Sequence, residues 1–156
     1  IDRQAAKAPL AVRLNGFSDI RWERVLPAWF WSRWDNVTFY DYTKHSVASR
    51  PVATMPANYS LTYSVTERTT PERLARERAA GRNVAVVVET FGGKDRRTGQ
   101  LRPIPAIPNA VDGDKNDRRF DDGEGKVVAL RIKGKLKPTD GLVVQGDRLA
   151  QILAGV

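Results

Sequence analysis

Asn83-Val84-Ala85-Val86-Val87-Val88-Glu89-Thr90 is a run of β-branched and small apolar residues that ends abruptly in a carboxylate and a hydroxyl. An unbroken valine run suits a strand buried on both faces, as in a parallel sheet covered by helices. The residues before it agree. Thr70-Pro71-Glu72 is a strong helix start, with a capping hydroxyl, proline at the first helical position and an acid in the first turn. That helix runs through Leu74 and Ala75 and stops at Gly81.

Other segments repeat the pattern of an apolar strand with a polar tip. Leu10 to Leu14 reads as a strand ending in the Asn15-Gly16 turn. Val37 to Tyr42 reads as a strand running into Thr43-Lys44. Asn58 to Val65 and Lys126 to Ile132 are strands, and Asn109 to Asp112 is a short, weaker one. Between the first two strands, Trp22, Val25, Leu26, Trp29 and Phe30 form an apolar helical face that Pro27 breaks or kinks. On this reading Trp22 and Trp29 belong to the core. Asp2 to Ala8 is the end of a helix, and Arg148 to Leu153 forms a terminal one.

Alternating strands and helices predict an α/β fold with a mostly parallel sheet. Five good strands and one weak one are too few for a closed barrel of eight. The expectation is a (β/α) barrel-like sheet, incomplete at the N-terminus; the alternative is an open doubly wound sheet. Residues 1–156 read as a single domain, with no linker or repeat. The chain begins at Ile1, so the reading leaves room for a preceding segment, or for another chain, to complete the fold.

The 156 residues carry 26 Lys and Arg against 18 Asp and Glu, a net charge of +8 that favours a phosphate-rich partner. Cysteine is absent, which excludes disulfides, thiolate zinc and cysteine-ligated clusters from these residues. The single histidine, His45, excludes a multi-histidine metal site. No apolar run spans a bilayer and no secretory signal is visible. No P-loop, GxGxxG fingerprint or GxSxG elbow is present. The run from Asp112 fails as a calcium loop, because Asp117 stands at the glycine position and Gly123 at the position of the bidentate Glu.

In a parallel sheet the polar tips gather at one edge. They offer Asp19 with Asn15 and Ser18, then Asp41, Lys44 and His45, then Ser64 and Glu67, then Glu89, then Asp112 and Asp114, and last Lys133. Asp41, Lys44, Asp19 and Glu89 are the candidate catalytic residues. Lys44 would pair with Asp41 or neutralise phosphate. Asp112 and Asp114 are the candidate ligands of Mg²⁺ or another divalent metal. Arg96, Arg97, Arg118, Arg119 and Lys133 are candidates for contacting nucleic acid.

The runs RLNGFSDIRWE (Arg13 to Glu23), FYDYTK (Phe39 to Lys44), NYSLTYSVTE (Asn58 to Glu67), NVAVVVET, VDGDKNDRRF (Val111 to Phe120) and VVALRIKGK (Val127 to Lys135) resemble, in this order, a family of bacteriophage proteins common in phages of actinobacteria. The resemblance covers most of the chain. It implies a phage origin and an α/β barrel-like fold; it carries no reaction and no catalytic roles. The expected setting is the host cytoplasm. Similar phage proteins have a cysteine-containing segment ahead of the first run, which this chain lacks. Two functional readings stand: a protein acting on or binding nucleic acid or nucleotides at the strand ends, or a non-catalytic protein that binds a host factor or nucleic acid through basic loops and tryptophans.

Overall fold

In a computed structural model, residues 1–92 and 94–144 are described, together with Arg148 and Ala150. The elements are α1 (Asp2–Ala5), β1 (Leu10–Arg13), α2 (Trp22–Val25), α3 (Ala28–Trp31), β2 (Val37–Thr43), β3 (Tyr59–Ser64), α4 (Pro71–Ala79), β4 (Asn83–Phe91), β5 (Ala110–Asp112), β6 (Val127–Ile132) and β7 (Val143–Val144). Single 3₁₀ turns occur at Val52–Thr54 and Arg119–Asp121.

The strands form a curled parallel sheet, a half-barrel, in the order β1-β2-β3-β4-β6-β5. β5 and β6 are exchanged relative to the chain: β6 lies against β4 and β5 lies outside it. β4 is the hub. Its first half pairs with β3 through Asn83, Val84 and Ala85, and further along Val87 and Val88 pair with β7. Its other edge pairs with β6 from Val84 onward. The valine run is buried because β4 has partners on both edges and a core on one face.

α4 forms as its sequence dictates. The Thr70 hydroxyl accepts from Arg73 N at 3.3 Å, Pro71 occupies the first turn, and the backbone reverses at Gly81 with φ +79. Leu74 packs into a core with Tyr63, Val84, Val86, Val88, Val127, Ala129 and Val144. Glu77 on the same helix is fully buried, yet it is satisfied by Arg82 at 2.9 Å and by Val47 N at 2.7 Å.

A second core lies under β2 and β3, where Val37, Phe39, Tyr59 and Leu61 meet Trp31. Trp31 stacks on Tyr59, with ring centroids 4.9 Å apart. Pro27 splits the expected helix into the one-turn helices α2 and α3. The split resets the periodicity. Trp31 takes the buried place, Trp22 packs against the core, and Trp29 is 61% exposed, contrary to its expected place in the core.

α1 is shorter than expected, and the terminal helix expected over Arg148 to Leu153 lies outside the described residues except at Arg148 and Ala150. Among the described residues no helix is long and apolar enough to cross a membrane.

Candidate functional site

Some of the polar tips meet at the carboxyl edge of the half-barrel. A cavity of about 630 Å³ opens there between Arg13, Tyr42, Ser64, Asp114, Asn116, Asp117, Leu130 and Lys133. A smaller one of about 250 Å³ shares Arg13, Tyr42 and Ser64 with it and reaches Phe17, Asp19 and Lys44. The shared residues make the two one groove, crossing β1, β2 and β3 and ending at the tip of β6.

The alternation of β2 sets which side chains face this groove. Phe39 turns to the helix-covered core, while Tyr40 and Tyr42 turn to the opposite face. There Asp117, from the β5–β6 connection, accepts both phenols, at 3.2 Å each, and Arg13 at 3.5 Å. The Arg13 guanidinium also lies over the Tyr42 ring, 4.9 Å from its centroid. Burial, opposed by Arg119 and reinforced by Asp117, raises the Tyr42 phenol above its ordinary value, so it stays a donor.

Asp41 ends on the other side of β2 and does not enter the groove. It is buried, and its oxygens accept from Asn15 N at 2.6 Å, Asn15 Nδ2 at 3.2 Å and the Tyr59 hydroxyl at 2.6 Å. Burial raises its pKa; the hydrogen bonds from Tyr59 and Asn15 oppose that rise. The expected pair with Lys44 is not formed. The Lys44 side chain points to solvent and makes no ion pair with another described residue, while its backbone N donates to Asp19 Oδ2 at 2.6 Å. A lysine beginning a loop has an exposed alternative that a buried carboxylate lacks, and neutral donors already fill the space around Asp41.

Behind Asp41, Tyr59 accepts from Arg50, and Arg50 grips Glu23 with two bonds, of 2.9 and 2.6 Å. This buried chain ties the β1–α2 loop to the loop after β2. His45 borders it, with Nδ1 3.0 Å from Arg21.

Asp112 and Asp114, the expected metal ligands, are taken by an arginine. Arg131 is 1% exposed at its side chain and bonds Asp112 twice, at 2.5 and 2.8 Å, and Asp114 at 3.1 Å. Lys133 reaches Asp114 at 2.6 Å. The hydrogen bond from Arg131 lowers the Asp112 pKa. Burial alone would raise that of Asp114, but Lys133 and Arg131 bring it down. A guanidinium thus stands where a cation would. Gly113 makes the clasp fit: a Cβ there would lie 2.6 Å from Val128 Cγ1 and 2.7 Å from Leu130 Cδ2. Among the described residues no three His, Cys, Asp or Glu side chains are grouped to hold a metal.

Glu89 is exposed, and its side chain makes no hydrogen bond or ion pair with another described residue, so it does not join the other carboxylates. Of the proposed nucleic-acid contacts, Arg96 and Arg97 are exposed on a turn where Asp95 Oδ1 accepts from Arg97 N and Thr98 N, at 2.9 Å each. Arg118 is exposed, paired with Asp121 at 2.6 Å and set over Phe120. Arg119, by contrast, is 1% exposed and turned inward by the 3₁₀ turn toward Asp122 and the Asn116 carbonyl.

The groove also uses residues that were not singled out. Arg13 is the one charge in the first apolar run, and Tyr42 alternates with Asp41 on β2; both could have been placed by strand parity. Asp117 could not, because its role depends on where the β5–β6 connection crosses the sheet. Phe17, an aromatic residue inside an Asn-Gly-Phe-Ser-Asp turn, is fully exposed at the groove's lip.

Fold and groove together define a parallel half-barrel protein whose open mouth is polar and rimmed with cations. The family model described as Gene product 88 matches residues 1–146, and the chain belongs to that family of phage gene products. No curated protein and no solved structure matches it.

Proposed function

We propose that the mouth of the half-barrel binds a phosphate-bearing ligand, a nucleic acid or nucleotide, inside the host cell. The observation that carries this reading is the convergence of Arg13, Lys44 and Lys133 on one groove from the ends of three strands. Lys44 is uncommitted among the described residues. Arg13 gives its Nε to the Asn15 carbonyl at 3.1 Å and lies over Tyr42, but its one ion pair, with Asp117, is a long 3.5 Å contact. An incoming phosphate can take both without breaking the core. The Ser64 hydroxyl, on the same groove, adds a hydrogen-bond donor. The net charge of +8 steers such ligands toward the protein.

The carboxylates support binding over metal-assisted catalysis. Asp112 and Asp114 are occupied by Arg131, and Asp41 is enclosed by Asn15 and Tyr59. The test is titration of labelled oligonucleotides and nucleotides at several salt concentrations. Arg13→Ala, Lys44→Ala and Lys133→Ala should each weaken binding. For a single strand, each phosphate no longer neutralised should flatten the slope of log K against log salt by about 0.7. Binding unchanged in all three variants sinks the proposal.

The rival reading, docking of a host protein, has its own observation: Val25 and Trp29, each 61% exposed, on the consecutive helices α2 and α3. It predicts that Trp29→Ala abolishes partner binding while oligonucleotide affinity stays as it was.

A further inference from the structure

Phe17 is the most exposed large apolar side chain among the described residues, yet the loop carrying it is not loose. Asn15, only 2% exposed, organises that loop. Its side-chain oxygen accepts from Ser18 Oγ at 2.7 Å, Ile20 N at 3.2 Å and Trp22 Nε1 at 2.9 Å. Its amide donates to Ile20 O at 3.0 Å and to Asp41, and its backbone N donates to Asp41 as well. Asp19 closes the far side by accepting Lys44 N at 2.6 Å. Buried polar groups therefore fix the residues on both sides of a phenyl ring that itself touches solvent.

The surroundings of the ring point to its ligand. Phe17 lines the same cavity as Arg13, Tyr42 and Lys44. A fixed aromatic face beside cations is how proteins hold unpaired bases: the ring stacks on the base and the cations take the flanking phosphates. A duplex keeps its base faces inside the helix and offers the ring nothing to stack on. We infer that Phe17 is a stacking platform for an unpaired base and that the ligand of the groove is single-stranded nucleic acid. This rests on the phosphate-binding reading above. Asn15 and Asp41 act as positioning residues, holding the loop that presents the ring.

The experiment compares wild type, Phe17→Ala, Phe17→Leu and Phe17→Trp. The probes are a fluorescein-labelled oligothymidylate of about 16 nucleotides, a duplex of the same length, and phosphatidylserine vesicles. Phe17 makes no contact that the fold needs, so the variants should keep the wild-type unfolding midpoint. The expected result is an affinity for the single strand about tenfold lower in both Phe17→Ala and Phe17→Leu, restored in Phe17→Trp, with an unchanged salt slope. Duplex binding should be weaker and indifferent to the substitution.

A leucine side chain supplies apolar bulk without a π face, so full binding by Phe17→Leu overturns stacking. Equal affinity for duplex and single strand overturns it too. So does vesicle binding that Phe17→Ala abolishes and Phe17→Leu retains, which would make the ring a lipid contact. If Arg13→Ala and Lys133→Ala weaken binding while Phe17→Ala does not, stacking alone falls. If wild type binds no nucleic acid or nucleotide, the phosphate-binding reading falls with it.

Discussion

Asp41 on β2 and the pair Asp112 and Asp114, at the end of β5 and just beyond it, hold equivalent places, at the carboxyl ends of parallel strands, and the protein treats them in opposite ways. Asp41 is enclosed by neutral donors, and burial pushes its pKa up. Asp112 and Asp114 are gripped by Arg131 and Lys133, and their pKa values are pushed down. A carboxylate at a strand end thus serves here as a clasp, with the partner chosen by what each site must join. Asp41 holds a loop by accepting from the backbone N–H and side-chain amide of Asn15, and a neutral partner suffices. The β5–β6 clasp closes the outer edge of the sheet, where β5 has three residues and a single strand partner. A charged, multidentate grip compensates for so short a ladder.

Breaking the charged clasp should give the largest effect. Arg131→Leu leaves Asp112 without its guanidinium, leaves Asp114 with Lys133 alone, and removes the two bonds to Asp112 that join β5 to β6. Removing one member of a buried ion pair costs about 3–5 kcal/mol. Urea denaturation should show that loss, and a lower m-value if β5 detaches in the native state. A loss below about 1 kcal/mol would mean that Arg131 is not what secures the edge. Gly113→Ala comes next. Its new methyl would press on Val128, Leu130 and the buried Arg119 at once, and overpacking of this kind costs about 1–3 kcal/mol. No comparable glycine serves the Asp41 clasp: Gly16, beside Asn15, has open space around it. Gly16→Ala should therefore change stability by less than about 0.5 kcal/mol.

Much of this fold was legible because local signals and tertiary need agree. The valine run of β4 and the Thr70-Pro71 start of α4 each state their structure within a few residues. The exchange of β5 and β6 was not legible, since it is decided by which edge of β4 remains free. The sites divide similarly. The gathering of polar tips follows from a parallel sheet, but their partners do not. Arg118 and Arg119 are adjacent and chemically identical, yet one faces solvent and the other is buried, because a 3₁₀ turn separates their directions. Trp29 and Trp31 show the same limit: a helical period continued across Pro27 selects the wrong one. Asp112 and Asp114 read as metal ligands because a sequence shows carboxylates together and does not show an arginine arriving from another strand.

The smallest effect, and the one that separates the clasps most cleanly, is their response to pH. Asp112 and Asp114 have folded pKa values below the unfolded one. Their stabilisation is therefore complete above the ordinary carboxylate value, about 4, and is lost as pH falls through the folded values. Asp41 has a folded pKa above the unfolded one. Its contribution is complete below about pH 4 and declines as pH rises through the folded value, because the native state holds the proton more tightly there. Asp122, also raised by burial, acts in the same direction as Asp41. Stability against pH should fall on both sides of a maximum, with a different clasp governing each limb. Asp41→Asn should flatten the upper limb and leave the acid limb alone, while Asp114→Asn should do the reverse. The slope carries the answer, not the level, because an amide at position 41 cannot accept all three donors that the carboxylate accepts. Should Asp41→Asn flatten the acid limb instead, Asp41 is held ionised like the other pair, and the contrast between the two clasps disappears.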